Sequence, residues 1–158
     1  MNRETFIACV EREQEALRGF LLALCCGNKD EADDLAQDAL VKAYLACSGF
    51  RDGGKFRSWL FKIAHNTFLS HKRSQGHPTI SIDAVPVEAL PQRGSGEGAS
   101  DLYLALATLP PKERSAITLF YLNGYSIKEI AAITEVSQDA VKQQLSRGRD
   151  KLRERLKL

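Results

Sequence analysis

Apolar residues return every three to four positions along three stretches of the first half of this chain. Phe6, Val10, Leu17, Leu21 and Leu24 mark the first, over residues 3–26. Leu35, Ala39, Leu40 and Ala43 mark the second, over 31–47, and Trp59, Leu60, Ile63, Ala64, Thr67 and Phe68 mark the third, over 58–73. That spacing turns one side of each stretch toward a core and predicts three helices. The pattern then stops. HPTISIDAVPVEALPQRGSGEGAS, residues 77–100, holds three Pro and three Gly without a helical period and reads as a flexible linker. Helical spacing resumes at about 101–108, and Pro110 and Pro111 open the next helix, where a missing N–H does little harm. Alternation of period two surfaces only in TISID, so no sheet is expected. The predicted fold class is all-α: two small helical domains, 1–76 and 101–158, joined by the linker at 77–100.

The end of the chain carries a finer pattern. Ser126-x-x-Glu129 is a capping box, in which the Ser oxygen accepts a backbone N–H and the Glu side chain returns one. It starts a short helix, IKEIAAI, with Ile127, Ile130 and Ala131 inward. Ser137 can cap a second helix, and Asp139 suits the positive end of its dipole. Only Thr134, Glu135 and Val136 lie between them, the length of a helix-turn-helix corner. Small Ala131 lets the helices approach while Val136 and Val141 fill the angle. The second helix then presents Gln138, Lys142, Gln143 and Arg147, side chains able to bond base edges or phosphates, and Arg149, Lys151, Arg153 and Arg155 continue the basic run. Glu135 stands at the corner, where Gly would be most comfortable. A left-handed backbone there strains a non-glycine residue by roughly 1–2 kcal/mol.

Charge divides the chain in a way that its net +2 conceals. Residues 1–46 carry net −4, 47–77 net +5, 78–100 net −2, 101–137 net −1 and 138–158 net +4. Two basic zones set apart by acidic ones suggest two separate contacts with a polyanion. In the first zone Phe50, Phe56, Trp59, Phe61 and Phe68 alternate with Arg51, Lys55, Arg57 and Lys62. Basic groups that follow a phosphate backbone, beside aromatic faces that stack bases, suit single-stranded nucleic acid. Trp59, at helical spacing with Ile63, reads more readily as core, which leaves the glycine-bearing loop 49–56 as the better contact.

Other chemistry falls away on inspection. The run from Gly49 to Lys55 imitates a phosphate loop, but Phe56 stands where Ser or Thr must hold magnesium, and no strand precedes it. Asp30-Glu31-Ala32-Asp33 opens an amphipathic helix, where the dipole favours acids. Cys9, Cys25, Cys26 and Cys47 form no C-x-x-C and read as small buried hydrophobes, so neither a metal nor another cofactor is predicted. No run of apolar residues is long enough to span a membrane, and the charged N-terminal turns lack the apolar core of a signal peptide. A cytoplasmic, non-enzymatic protein is expected.

Taken in order, these pieces resemble the extracytoplasmic-function (ECF) sigma factors of bacterial RNA polymerase. Residues 33–44, DDLAQDALVKAY, followed by 56–66, FRSWLFKIAHN, resemble their second conserved region. Residues 106–117, LATLPPKERSAI, then 124–131, GYSIKEIA, and 140–152, AVKQQLSRGRDKL, resemble their fourth. The resemblance implies a transcription initiation factor that binds core RNA polymerase and directs it to promoter DNA. It implies that Asp34, Leu35, Gln37 and Asp38 dock on the polymerase. Arg51, Lys55, Phe56, Arg57, Lys62, Asn66 and Arg73 would serve the −10 element. Ser137, Gln138, Lys142, Gln143, Arg147 and Arg149 would serve the −35 element. An anti-sigma factor is a further partner that the resemblance suggests.

Three positions depart from the family pattern: Glu135 where Gly is frequent, Ala140 where Thr is, and Gln144 where Arg is. The last two alter the reading helix, so no −35 sequence is carried over. A linker of 24 residues reaches at most roughly 80–85 Å, against roughly 70 Å for two turns of duplex. The rival reading is a helix-turn-helix regulator that acts without polymerase. It leaves the acidic helix at 31–47 and the aromatic basic loop without a role.

Overall fold

Asn2 starts the first helix. Its side-chain oxygen accepts the Thr5 N–H at 2.8 Å, and α1 runs over Arg3–Leu24. The computed structural model describes residues 1–51, 53–75 and 97–156, with only the backbone described at 97–100. Asn28 caps the next helix in the same way, accepting from Glu31 N–H at 3.2 Å, and α2 spans Lys29–Ala46. Between the two caps the chain reverses through Cys26 and Gly27, both with positive φ (54° and 88°). A single 3₁₀ turn, Cys47–Gly49, leads out of α2, and α3 follows over Phe56–Ser74. The three helices pack on one another through Leu17, Phe20, Leu21, Leu35, Leu60, Phe61 and Phe68. On α2 the inward stripe is Ala32, Ala36, Ala39 and Ala43, small side chains that let the neighbours come close.

The second half holds α4 (Glu97–Ala107), α5 (Pro111–Ile117), α6 (Ile127–Thr134) and α7 (Gln138–Leu156). Pro111 occupies the first turn of α5 as expected. Its far end widens into a π-helical turn, Thr118–Leu122, which the apolar spacing did not foretell. α4 begins at Glu97, so the predicted linker is overrun by one turn, and its remainder, 77–96, lies outside the described residues. The capping box forms as drawn: Glu129 N–H donates to Ser126 Oγ at 3.1 Å, and Ser126 N–H to the Glu129 carboxylate at 3.0 Å. Those bonds favour the ionised form and hold the Glu129 carboxyl below its ordinary pKa. Ser137 Oγ likewise accepts the Ala140 N–H at 3.0 Å. Glu135, at the corner, is left-handed with φ 59° and ψ 43°, and both its own N–H and that of Val136 return to Ala131 O.

The two halves share one apolar cluster. The Tyr125 ring meets Phe61 of α3 edge-on, 5.7 Å between centroids. The Tyr103 ring of α4 lies against Gly27, where an added Cβ would fall 2.7 Å from it. Buried Arg114 of α5 reaches into the first half: its Nη1 donates to Leu24 O at 2.7 Å, while Nε and Nη2 donate to Leu106 O and Leu109 O, both at 3.0 Å. Carbonyls in the last turn of a helix lack intrahelical partners and carry the negative end of its dipole, so one cation satisfies two helix ends together.

The second half depends on a close crossing of α5 and α7 at Gly148. A Cβ there would lie 2.7 Å from Ile117 Cγ1, a buried atom near the branch of its side chain. Helix propensity alone would make Gly148→Ala stabilising by about 1 kcal/mol. Packing reverses the sign: the substitution is expected to destabilise by about 1–3 kcal/mol, read as a lower urea midpoint at unchanged slope.

Candidate nucleic-acid and protein interfaces

α7 projects its polar side chains away from the core because Val141, Leu145 and Gly148 face inward. Ser137, Gln138, Lys142, Gln143, Arg147 and Arg149 are all exposed. No side chain of Gln138, Lys142, Gln143 or Arg147 bonds to another described residue, so their donors point to solvent. Arg149 is steadied by the Tyr121 hydroxyl at 3.4 Å. A helix fixed by α5 and α6, with unpaired amide and guanidinium groups along its outer side, has the form that enters a major groove.

The first basic zone is arranged differently from expectation. Phe56, predicted to meet DNA, is 4% exposed and sits in the core against Phe6, Phe50 and Trp59. Trp59, read from spacing as core, is half-buried and stacks on Phe50 at 4.4 Å and 24°. The aromatic rings thus pack on one another and anchor the loop; burial takes Phe56 out of the surface set. Arg51, Lys55, Asn66 and Arg73 are exposed. Arg57 and Lys62 are half-buried and already paired. Arg57 meets Glu13 at 3.2 Å and lies over the Phe61 and Tyr125 rings, 5.6 and 5.4 Å from their centroids. Lys62 meets Glu135 at 3.3 Å.

On α2, Asp34, Gln37 and Asp38 are exposed, and their side chains pair with no described residue. Leu35 is 2% exposed and belongs to the core, so it shapes the helix from beneath and is not itself a surface contact. Further along the same side lie apolar residues that spacing alone does not assign to a surface. Val41, Tyr44 and Leu45 are exposed, Leu45 at 74%. Asp34, Asp38, Val41 and Leu45 follow one another at i, i+4, i+7 and i+11, a single stripe that starts acidic and ends apolar. Its signal was present as apolar residues lying off the inward alanine stripe.

The comparisons with known proteins decide the family. The sigma-70 region 2 family matches residues 9–77, and the sigma-70 region 4 family matches residues 99–152. The ECF RNA polymerase sigma factor EcfG of Rhodopseudomonas palustris (strain TIE-1) is 31% identical over 140 residues, covering 87% of this chain and 77% of that protein. This chain belongs to the ECF sigma factors. The ECF sigma-E factor of Escherichia coli (strain K12) is 31% identical over 135 residues, covering 76% of this chain and 71% of its own length. Among solved structures, RpoE of Bartonella quintana in complex with the anti-sigma factor NepR superposes with a TM-score of 0.81. It is 33% identical, with 98% of each chain covered. CnrH in complex with the cytosolic domain of CnrY gives 0.76 at 27% identity, covering 99% of this chain and 90% of that one. An ECF sigma factor directs RNA polymerase to promoters through regions 2 and 4 and performs no catalysis.

Cys9, Cys25, Cys26 and Cys47 are free and buried, and burial pushes the Cys25 and Cys26 thiols up, away from the reactive thiolate. No group of three or more metal-ligating side chains occurs among the described residues, and no described helix is long and apolar enough to cross a membrane.

One buried group gives this ECF sigma factor a pH response. His65 of α3 is 2% exposed with Nδ1 unbonded among the described residues. Burial lowers its pKa from 6.5 to about 4, partly opposed by the Glu135 carboxylate and assisted by Lys112. The folded chain therefore takes up this proton only near pH 4, whereas the unfolded chain takes it up near 6.5. The stability held by neutral His65 is whole above pH 6.5 and lost as pH falls toward 4. His65→Leu is expected to flatten that part of the stability profile, checked by urea titrations between about pH 7 and 4.

Proposed function

We propose that residues 1–76 form the unit that binds core polymerase and opens the −10 element, and that residues 101–158 form the unit that reads the −35 element. Asp34, Gln37 and Asp38 supply the acidic part of the polymerase contact, with Val41 and Leu45 completing it on the apolar side. Arg51, Lys55, Arg57, Lys62, Asn66 and Arg73 follow the −10 strand. Gln138, Lys142, Gln143 and Arg147 lie in the −35 major groove, with Ser137 and Arg149 at its edges. The observation that carries this reading is the exposed outer side of α7, where the side chains of Gln138, Lys142, Gln143 and Arg147 bond to no other described residue.

One further partner follows from the relatives. RpoE and CnrH were solved with NepR and with the cytosolic domain of CnrY, which supports an anti-sigma factor for this chain too. A protein that loads onto RNA polymerase works where the nucleoid is, so the cytoplasm is its place of action.

Two substitutions separate the proposed contacts. Asp38→Arg is expected to reduce affinity for core polymerase at least about tenfold, by reversing charge at a protein contact, while sparing duplex DNA binding. Equal loss of both would sink the assignment of α2. Gln143→Ala is expected to shift preference at one base pair by about 1–3 kcal/mol, measured across a panel of −35 duplexes. A uniform loss across the panel would recast Gln143 as a backbone contact.

A further inference from the structure

One group on the outer side of α7 has a charge opposite to that of its neighbours. Asp139 is exposed in the first turn, and no hydrogen bond or ion pair ties its carboxylate to another described residue. Successive helical residues turn by about 100°, which sets Asp139 roughly opposite buried Val141 and about 40° from Gln143, one turn on. The carboxylate therefore stands at the middle of the outer side, between Lys142 and Gln143. Asp150, further along the helix, lies 3.7 Å from Arg153 and has its charge answered within α7. Asp139 has no such counterpart. The helix dipole favours an acid in this turn, next to the Ser137 cap. It does not offset what the acid costs in a groove lined by phosphates, where an unpaired carboxylate is repelled and loses its water.

That cost is offset only where the floor of the groove supplies a donor. In the major groove the donors are the N4 amino group of cytosine and the N6 amino group of adenine, whereas guanine O6 and N7 and thymine O4 accept. Adenine also sets its N7 acceptor beside N6, against the second carboxylate oxygen; cytosine does not. We infer that Asp139 is a specificity-determining residue, whose carboxylate accepts from cytosine N4 in the −35 element and turns away guanine and thymine at that position. The first turn of a reading helix is the part that meets base edges, which suits the contact. Four helical residues rise about 6 Å and base pairs stack about 3.4 Å apart, so this cytosine lies within about two base pairs of the one Gln143 reads. Asp139 weakens binding to every duplex and weakens it least where cytosine is present. The inference rests on the placement of α7 in the −35 major groove proposed above.

The test is selection among promoter duplexes randomised across the −35 element, by core polymerase loaded with the full chain, wild type or variant. The wild type should enrich cytosine at one position about tenfold over guanine or thymine. Asp139→Asn replaces an acceptor by an amide that can bond adenine N6 and N7, and should move the preference at that position to adenine. Asp139→Ala should erase the preference there and tighten binding to a mixed-sequence duplex by about twofold to fivefold, as a repelled charge is removed. Both variants should keep the wild-type helix content. An acid that serves only the dipole would lower the thermal midpoint when replaced and leave every base preference where it was, a result that would overturn the inference. Preferences that change further than about two base pairs from the Gln143 position would overturn it as well. If Gln143→Ala shifts a base preference and the Asp139 variants do not, α7 still reads the −35 element and only the role of Asp139 falls. If none of them shifts a preference, the placement of α7 falls too.

Discussion

Arg114 donates to the carbonyls of Leu24, Leu106 and Leu109 at 2.7–3.0 Å, and the placement of both halves depends on that one guanidinium. Two of its acceptors are in the last turns of α1 and α4, where backbone oxygens have no helical partner. Arginine fits because its planar fork supplies donors in several directions from a charge that never titrates. Leu106 O also accepts the Leu109 N–H at 3.1 Å, so removing Arg114 would chiefly deprive the Leu24 and Leu109 carbonyls of their donor, at roughly 1–3 kcal/mol for each. From Arg114 the chain of support runs outward. α5 is fixed against α1 and α4, Glu113 beside it holds Lys151 of α7 at 2.9 Å, and Ile117 seats Gly148. The reading helix is therefore set at its angle by the residues that dock the two halves.

The docked arrangement is not uniformly strong. Apolar packing around Phe61, Tyr125 and Tyr103 favours it, as does Arg114. Against it stand the left-handed Glu135 and the unbonded Nδ1 of His65. The Lys62–Glu135 pair is about half exposed on each side, and such pairs contribute only about 0–1 kcal/mol. The corner thus combines a strained backbone with a weak surface ion pair. This answers the question that Glu135 poses in the sequence: its backbone is left-handed, and its side chain serves the contact between halves, not the turn.

Much of this was legible in the residues because local rules agreed with one another. The helices of the described residues followed from apolar spacing and caps, and the Ser126–Glu129 box and the Ser137 cap formed as drawn. The docking of the halves was not legible. Arg114 reads as an ordinary charged position in PKERSAI, since its partners are carbonyls up to 90 residues away in sequence, and carbonyls carry no sequence signature. Leu35 and Phe56 were misjudged because family motifs mix core and contact residues in one string, and only burial separates them. Val41 and Leu45 were missed for the opposite reason: an apolar residue on a helix reads as core until the inward stripe is seen to be alanine. The π-helical turn at 118–122 has no cue in apolar spacing.

Run-off transcription with purified core polymerase on a library of candidate promoters tests the central claim most directly. Core alone should give no promoter-dependent RNA. Core with this chain should start RNA at discrete sites that share a −35 and a −10 element at fixed separation. Footprints on DNA without any chain-dependent RNA would contradict the account and leave a regulator that binds DNA without polymerase.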